Sequence, residues 1–314
     1  LREQFEAMFG DDSRMPLCAR KKYAFRPTAK PVRVDAATGR FSDARKAFEE
    51  LTAQVPDDPA AWFNLGLVRA WQGEQPAAVD ALQKSLEKEW DDAKAEETAA
   101  LVEVLRCGHG MENDSDHTEH RAVLPVRDPE ALFGMLQQWD RERKMIGAQA
   151  DPNTGFFSCV VVEEMPSLLD TGTTMARVVA NLAFDRGVLQ IRHPHPESVR
   201  KVGRDIPDRV NLAVGEPAAG TGPAQFGDVA VEALAYPVRA TDVGQAEAKV
   251  REHARHYFED VWPTRPLRSL GGATPVDAGG SKLLRKRLLG VVRFLEDCVN
   301  GAAPRKQAGD KVEA

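Results

Sequence analysis

Histidine and cysteine are the residue types here best suited to chemistry, and four of them fall close together. Cys107, His109, His117 and His120 lie in one short stretch with Asp114 and Asp116 between them. Thiolate and imidazole are natural zinc ligands, and His117 and His120 would share a face if that stretch were helical. The spacing matches no structural zinc module, and a polar connector accounts for the same residues. No metal is therefore expected, with these four as the candidates if one binds. His193-Pro194-His195 follows an expected strand, and His253 and His256 share the face of an expected helix. Each pair lacks an evident third ligand, so both are expected to be surface histidines.

Other chemistry is weaker still. Glu163 and Glu164 are neighbours on an expected strand, so their carboxylates point to opposite faces and make a poor acid–base pair. Gly220-Thr221-Gly222 has no helix opening behind it and does not make a phosphate cradle. The chain has no G-x4-G-K-[ST], G-x-G-x-x-G, H-E-x-x-H or G-x-S-x-G motif. An enzyme is not expected and no cofactor is implied. A metal-dependent enzyme built from the histidines stands as a third reading of function.

Composition sets broad limits. The 314 residues are 42% hydrophobic and 29% charged, ordinary for a soluble globular protein of two or three domains. A net charge of −6 gives no electrostatic footprint for nucleic acid. Two local basic groups are exceptions. Arg20, Lys21 and Lys22 sit in Leu17–Pro27 among Tyr23 and Phe25, and Arg285, Lys286 and Arg287 line one side of an amphipathic stretch. Either could meet an anion or a nucleic-acid backbone; solvated cationic faces are the preferred reading. No run of 18 apolar residues exists and no leader is visible, so a cytoplasmic protein without a membrane partner is expected. The four cysteines, Cys18, Cys107, Cys159 and Cys298, form no C-x2-C pair and suggest reduced, buried thiols.

What the chain is organised around is a repeat. Gly39 and Gly73, Ala44 and Ala78, and Phe48 and Leu82 are each 34 residues apart. Each trio supplies a glycine for a turn, a small residue where helices touch and a large apolar residue for the seam. Trp62-Phe63-Asn64-Leu65-Gly66 precedes the second turn. This resembles the W-x2-L-G opening of a tetratricopeptide repeat, whose period is 34. Pro56 falls at that family's closing proline, and Pro59 opens the next helix. Residues 59–92 form one full repeat, with Arg69 in place of the usual aromatic and Trp90 in place of the usual proline; a third repeat begins near Ala93 and stops at Gly108-His109-Gly110. The resemblance implies a module that binds a protein or peptide through the concave face of its first helices. In family register that face carries Phe63, Leu67, Ala70 and Trp71. With Phe63 and Leu67 at the clamp positions, capture of a C-terminal carboxylate is not expected, and the same face could instead pack under another part of this chain.

Beyond Arg121 the periodicity changes. Strands are expected at 122–126, 156–165, 175–184, 188–192 and 229–236, with helices at 129–144, 197–206 and 243–260 and a loop over 207–227. The fold class expected is α+β: tetratricopeptide-like helical hairpins, then an antiparallel-sheet α+β domain with helices on one face, then a C-terminal helix. The expected boundaries are a lead-in at 1–38, with a short amphipathic helix over 2–10, repeats at 39–110, the α+β domain at 121–260, a capped helix block at 261–300 and a disordered tail at 301–314.

The last block carries Leu270-Gly271-Gly272-Ala273-Thr274-Pro275, with Thr274 as N-cap, Pro275 at the first helical position and Asp277 able to complete a capping box. A helix is expected from there to Cys298. The L-G-G-x-T-P opening resembles the tail of the toxin-binding domain of Xre/MbcA/ParS-type antitoxins and similar tails on bacterial proteins with SEC-C motifs. The function expected first is a bacterial protein–protein interaction adaptor; the alternative is a toxin–antitoxin or defence component engaging its partner through residues 262–298.

Overall fold

A computed structural model describes residues 23–30, 41–108, 111, 113–165, 172–210, 218–224 and 228–302. The helix expected over 2–10, together with Arg20, Lys21, Lys22, Cys18 and His109, lies outside the described residues. The chain separates into two compact units, Leu1–Val104 with Leu289–Ala314, and Leu105–Leu288. The fold class is α+β.

The first unit is built on helical hairpins: α1 (Phe41–Gln54), α2 (Pro59–Trp71), α3 (Gln75–Lys88) and α4 (Asp92–Arg106). Asp58 caps α2 by accepting from the Ala60 amide, and Pro59 occupies the first turn, where a missing N–H costs nothing. Gly73 turns the chain between α2 and α3 at φ 80°. Of the residues spaced by 34, Gly39 lies outside the described residues. Ala44, Phe48, Ala78 and Leu82 are all buried. Arg69 fills its departure from the repeat pattern by bonding rather than packing, donating to the Ala77 carbonyl and to Glu49 Oε1.

Among the described residues the second unit is built on a seven-stranded antiparallel sheet. Its strands are β1 (Thr118–Pro125), β2 (Met145–Asp151), β3 (Phe156–Glu164), β4 (Thr173–Asp185), β5 (Val188–His193), β6 (Ala218–Pro223) and β7 (Ala235–Ala240). The order is β2-β3-β4-β5-β1-β6, and β7 pairs with the first half of β4. Helices α5 (Pro129–Arg141) and α6 (Pro196–Val210) cover one face, closing a core that includes Leu132, Trp139, Leu182, Ile191 and Ile206. Asp128 caps α5 by accepting from the Ala131 amide, as its position before Pro129 suggests. Arg186 and Gly187 both have positive φ, making the tight β4–β5 turn a two-residue hairpin loop of the primed type. Helix α7 (Val243–His256) follows β7 and gives way to a π-helical turn at Tyr257–Val261.

Several elements differ from the sequence expectation. β6 occupies part of the Gly/Ala-rich stretch expected to be loop, pairing with β1 from Ala218 to Pro223. Its Gly222 leaves the room Arg121 takes: a Cβ there would lie 2.9 Å from the guanidinium carbon. β2 was not expected, because its alternation is broken by a bulge between Ile146 and Gln149, with Gly147 at φ 63°. The strand expected at 229–236 is a 3-10 turn, Val231–Ala233, followed by β7. The C-terminal helix is two helices: Thr274 accepts from the Asp277 amide to open α8 (Pro275–Ala278), Gly279 and Gly280 interrupt it, and α9 runs from Lys282 to Ala302. Cys107, Cys159 and Cys298 are buried thiols.

Candidate peptide-binding groove

The expected binding face on α2 is packed. Phe63, Leu67, Ala70 and Trp71 are all buried, none more than 7% exposed. What meets the two aromatic residues is the chain's own residues 23–28, a stretch without helix or strand. Phe25 fits between Phe48 and Trp71, with ring centroids 5.1 and 5.3 Å away. Phe41 closes the other side of Trp71 at 5.5 Å. The Arg26 guanidinium lies 3.6 Å above the Phe63 ring, a cation–π contact made in a nearly water-free site.

Asn64 holds the backbone of this segment from both sides. Its Oδ1 accepts from the Arg26 amide at 2.7 Å, and its Nδ2 donates to the Arg26 carbonyl at 2.8 Å. Apart from the Trp71 indole N–H, Asn64 is the one side chain with hydrogen-bonding groups among the buried residues of α2. Its two bonds explain why an amide is tolerated there, since a buried polar group left unpaired costs about 1–3 kcal/mol. The arginine head is neutralised by two carboxylates: Glu97 Oε2 at 2.9 Å and Glu89 Oε2 at 3.5 Å. It also donates to the Lys94 carbonyl. Further along, Ala29 donates its amide to Asp58 Oδ2, and Lys30 Nζ reaches Gln54 Oε1. A groove of aromatic walls, one amide that grips a backbone and two carboxylates is equipped to hold an extended peptide with an aromatic residue followed by arginine.

The family model described as a tetratricopeptide repeat matches residues 32–93. This segment is a tetratricopeptide repeat module. Such repeats generally mediate protein–protein interaction. No curated protein and no solved structure matches the chain. Among the described residues no helix is long and apolar enough to cross a membrane.

The histidine candidates have a different outcome. His120 lies on β1, not on a helix, and pairs across the sheet with His193 of β5, so the helix face expected for His117 and His120 does not exist. The neighbouring His195 donates its amide to His193 Nδ1, and its Nε2 meets Glu232 Oε1 at 2.6 Å. The other Glu232 oxygen accepts from Tyr257 and Arg265, while His253 Nε2 meets the Glu232 carbonyl. His117 lines a cavity of about 100 Å³ together with Asp116, Asp228, Glu232, Tyr257 and Arg265. One histidine from each sequence pair thus meets Glu232, His195 at its carboxylate and His253 at its main-chain carbonyl, whereas His256 turns away to Asp260.

Burial pushes the pKa of His117 and His193 down to about 4, and His195, Arg265 and Tyr257 hold Glu232 down at about 2. Burial, with Glu119 nearby, raises Asp228 to about 6. Glu232 in the 3-10 turn thus joins His195, just after β5, and Tyr257, at the start of the π turn, by hydrogen bonds, and Arg265 beyond it by an ion pair. Among the described residues no three His, Cys, Asp or Glu side chains are placed to hold one metal ion. Cys107 is buried near the end of α4. On α9, Arg285 is exposed and Lys286 is buried, so these two do not form one open basic face with Arg287.

Asn64, Glu89 and Glu97 are the residues that sequence reasoning passed over. The available signal was an asparagine inside the otherwise apolar run 60–68 of α2, at a position where neither capping nor a turn explains it.

Proposed function

We propose that the protein is a non-catalytic adaptor that holds a segment of a partner protein through its tetratricopeptide repeat groove. The observation that carries this reading is the two-way bond between Asn64 and the Arg26 backbone beside a wall of Phe48, Phe63 and Trp71. Backbone bonds supply affinity for any extended chain, and the flanking pockets supply side-chain preference.

The test is affinity capture from the native cell extract with full-length wild type and with Glu97→Lys, each checked first by circular dichroism. Glu97 is half-exposed at the groove, so the exchange reverses a recognition charge without removing core atoms. A protein retained by wild type and lost with Glu97→Lys supports the groove as the contact. Identical sets of captured proteins on both would sink the reading.

A further inference from the structure

We propose that residues 23–28 are a built-in competitor, and that the partner displacing them is a protein segment carrying the same chemistry: an extended stretch with an aromatic residue followed directly by arginine. This rests on the adaptor reading above and names the ligand of that same groove.

Three features of the segment support competition over permanent structure. First, its described residues take part in no backbone ladder; groove side chains make most of the contacts, through Asn64 to its backbone, Glu97 to Arg26 and Asp58 to the adjoining Ala29 amide, with the Lys94 carbonyl also accepting from Arg26. Contacts of that kind depend on the segment's local shape and not on its place in the chain. Second, every one of these partners is remote in sequence, 29 to 71 residues away. Third, selectivity comes from two adjoining side chains. Phe25 fills the gap between Phe48 and Trp71, and Arg26 is held between the Phe63 ring and the carboxylates of Glu89 and Glu97. Lysine would meet the charges but lose the planar stacking.

A tethered segment competes at an effective concentration on the order of millimolar. A groove available only a small fraction of the time binds its partner more weakly by that fraction. Weakening the tethered copy therefore strengthens the binding of a free one.

The probe is a fluorescent peptide with the sequence of residues 21–30, measured by anisotropy against the full-length protein. Phe25→Ala/Arg26→Ala protein is expected to bind it at least about 10-fold more tightly than wild type. Adding Asn64→Ala to that protein, or using the R26E peptide, should abolish the gain. A second arm uses wild type alone: excess peptide should speed hydrogen exchange at the Arg26 and Ala29 amides, and the R26E peptide should not. The proposal is overturned if the folded double variant shows no gain. If that variant does not fold, unchanged exchange in the wild-type arm overturns it. It is also overturned if wild type is a dimer that the peptide converts to monomer, because a second copy would then be the occupant. A partner captured through Glu97 but not competed by the peptide would leave the adaptor reading standing and remove this one.

Discussion

Gly66 of α2 faces Leu82 of α3 so closely that a Cβ on Gly66 would sit 2.6 Å from Leu82 Cγ and 3.1 Å from the Ala78 carbonyl oxygen. Two helices of one hairpin therefore meet at the glycine of the W-x2-L-G opening and a leucine of the 34-residue pattern. Gly66→Ala is expected to destabilise by about 1–2 kcal/mol, because overpacking costs about 1–3 kcal/mol and outweighs the helix-propensity gain of up to about 1 kcal/mol. Chemical denaturation checks the sign. A double-mutant cycle with Leu82→Ala checks the cause: the cost of the added methyl should shrink once the leucine is truncated. An unchanged cost would place the clash elsewhere.

The same substitution should have opposite signs in two other helices. In α9, a Cβ on Gly290 would run into Ala99 Cβ and lie 2.7 Å from the Ala99 carbonyl carbon. Backbone atoms cannot rotate aside, so Gly290→Ala should cost more than Gly66→Ala. In α5, a Cβ on Gly134 meets nothing within 4 Å. Gly134→Ala should stabilise by about 0.5–1 kcal/mol. Melting temperatures of the three variants, measured side by side, give the ranking; a Gly290→Ala protein as stable as wild type would remove the close contact between α9 and α4.

The Gly290 contact also shows how far the sequence pattern carries. The repeat was legible because helices that pack on their neighbours repeat small and large residues at a fixed interval. The third repeat lacks a second helix in local sequence, and the first unit instead contains Leu289–Ala302 of the far terminus, joined to α4 at Ala99 and through Arg293 to Glu96. An end repeat needs its outer face covered, but no local pattern can announce a cover drawn from the other end of the chain. The strong strands β3, β4 and β5 were readable from their β-branched and aromatic runs. β6 was hidden because Ala, Gly and Pro carry no strand signature, and it forms because β1 offers it a ladder. The groove's occupant was hidden for a related reason: an extended segment held by side chains has no period, so Phe25 and Arg26 looked like a solvated lead-in.

Asn64→Ala is expected to loosen residues 23–30 before it unfolds the unit. It removes both bonds to the Arg26 backbone while leaving Phe25 between its aromatic neighbours. Loss of stability should be about 1–3 kcal/mol, the cost of stranding buried partners. Limited chymotryptic cleavage after Tyr23 or Phe25 should accelerate well before global unfolding. Equal acceleration after Leu82, buried in the middle of α3, would show that the whole unit had been weakened instead.

The second unit should be acid-sensitive in a narrow window. Buried His193 has its pKa pushed down to about 4 from an ordinary value near 6.5. Above pH 6.5 neither state is protonated there and stability does not depend on this residue. As the pH falls from about 6.5 to about 4, the unfolded chain gains a proton that the native ring refuses, and about 3 kcal/mol is lost. His117 acts in the same direction. Asp228 opposes them: raised to about 6, it takes up a proton in the native state before the unfolded chain does, so its contribution grows as the pH falls from about 6 to about 4. Glu232, held at about 2, begins to matter only below about pH 4.5. Asp228→Asn should therefore steepen the loss of stability between pH 6 and 4, and His193→Gln should flatten it. Denaturation midpoints across pH 7.5 to 4.5 decide this: parallel curves for wild type and both variants would mean that these side chains are not held in the protonation states their burial dictates.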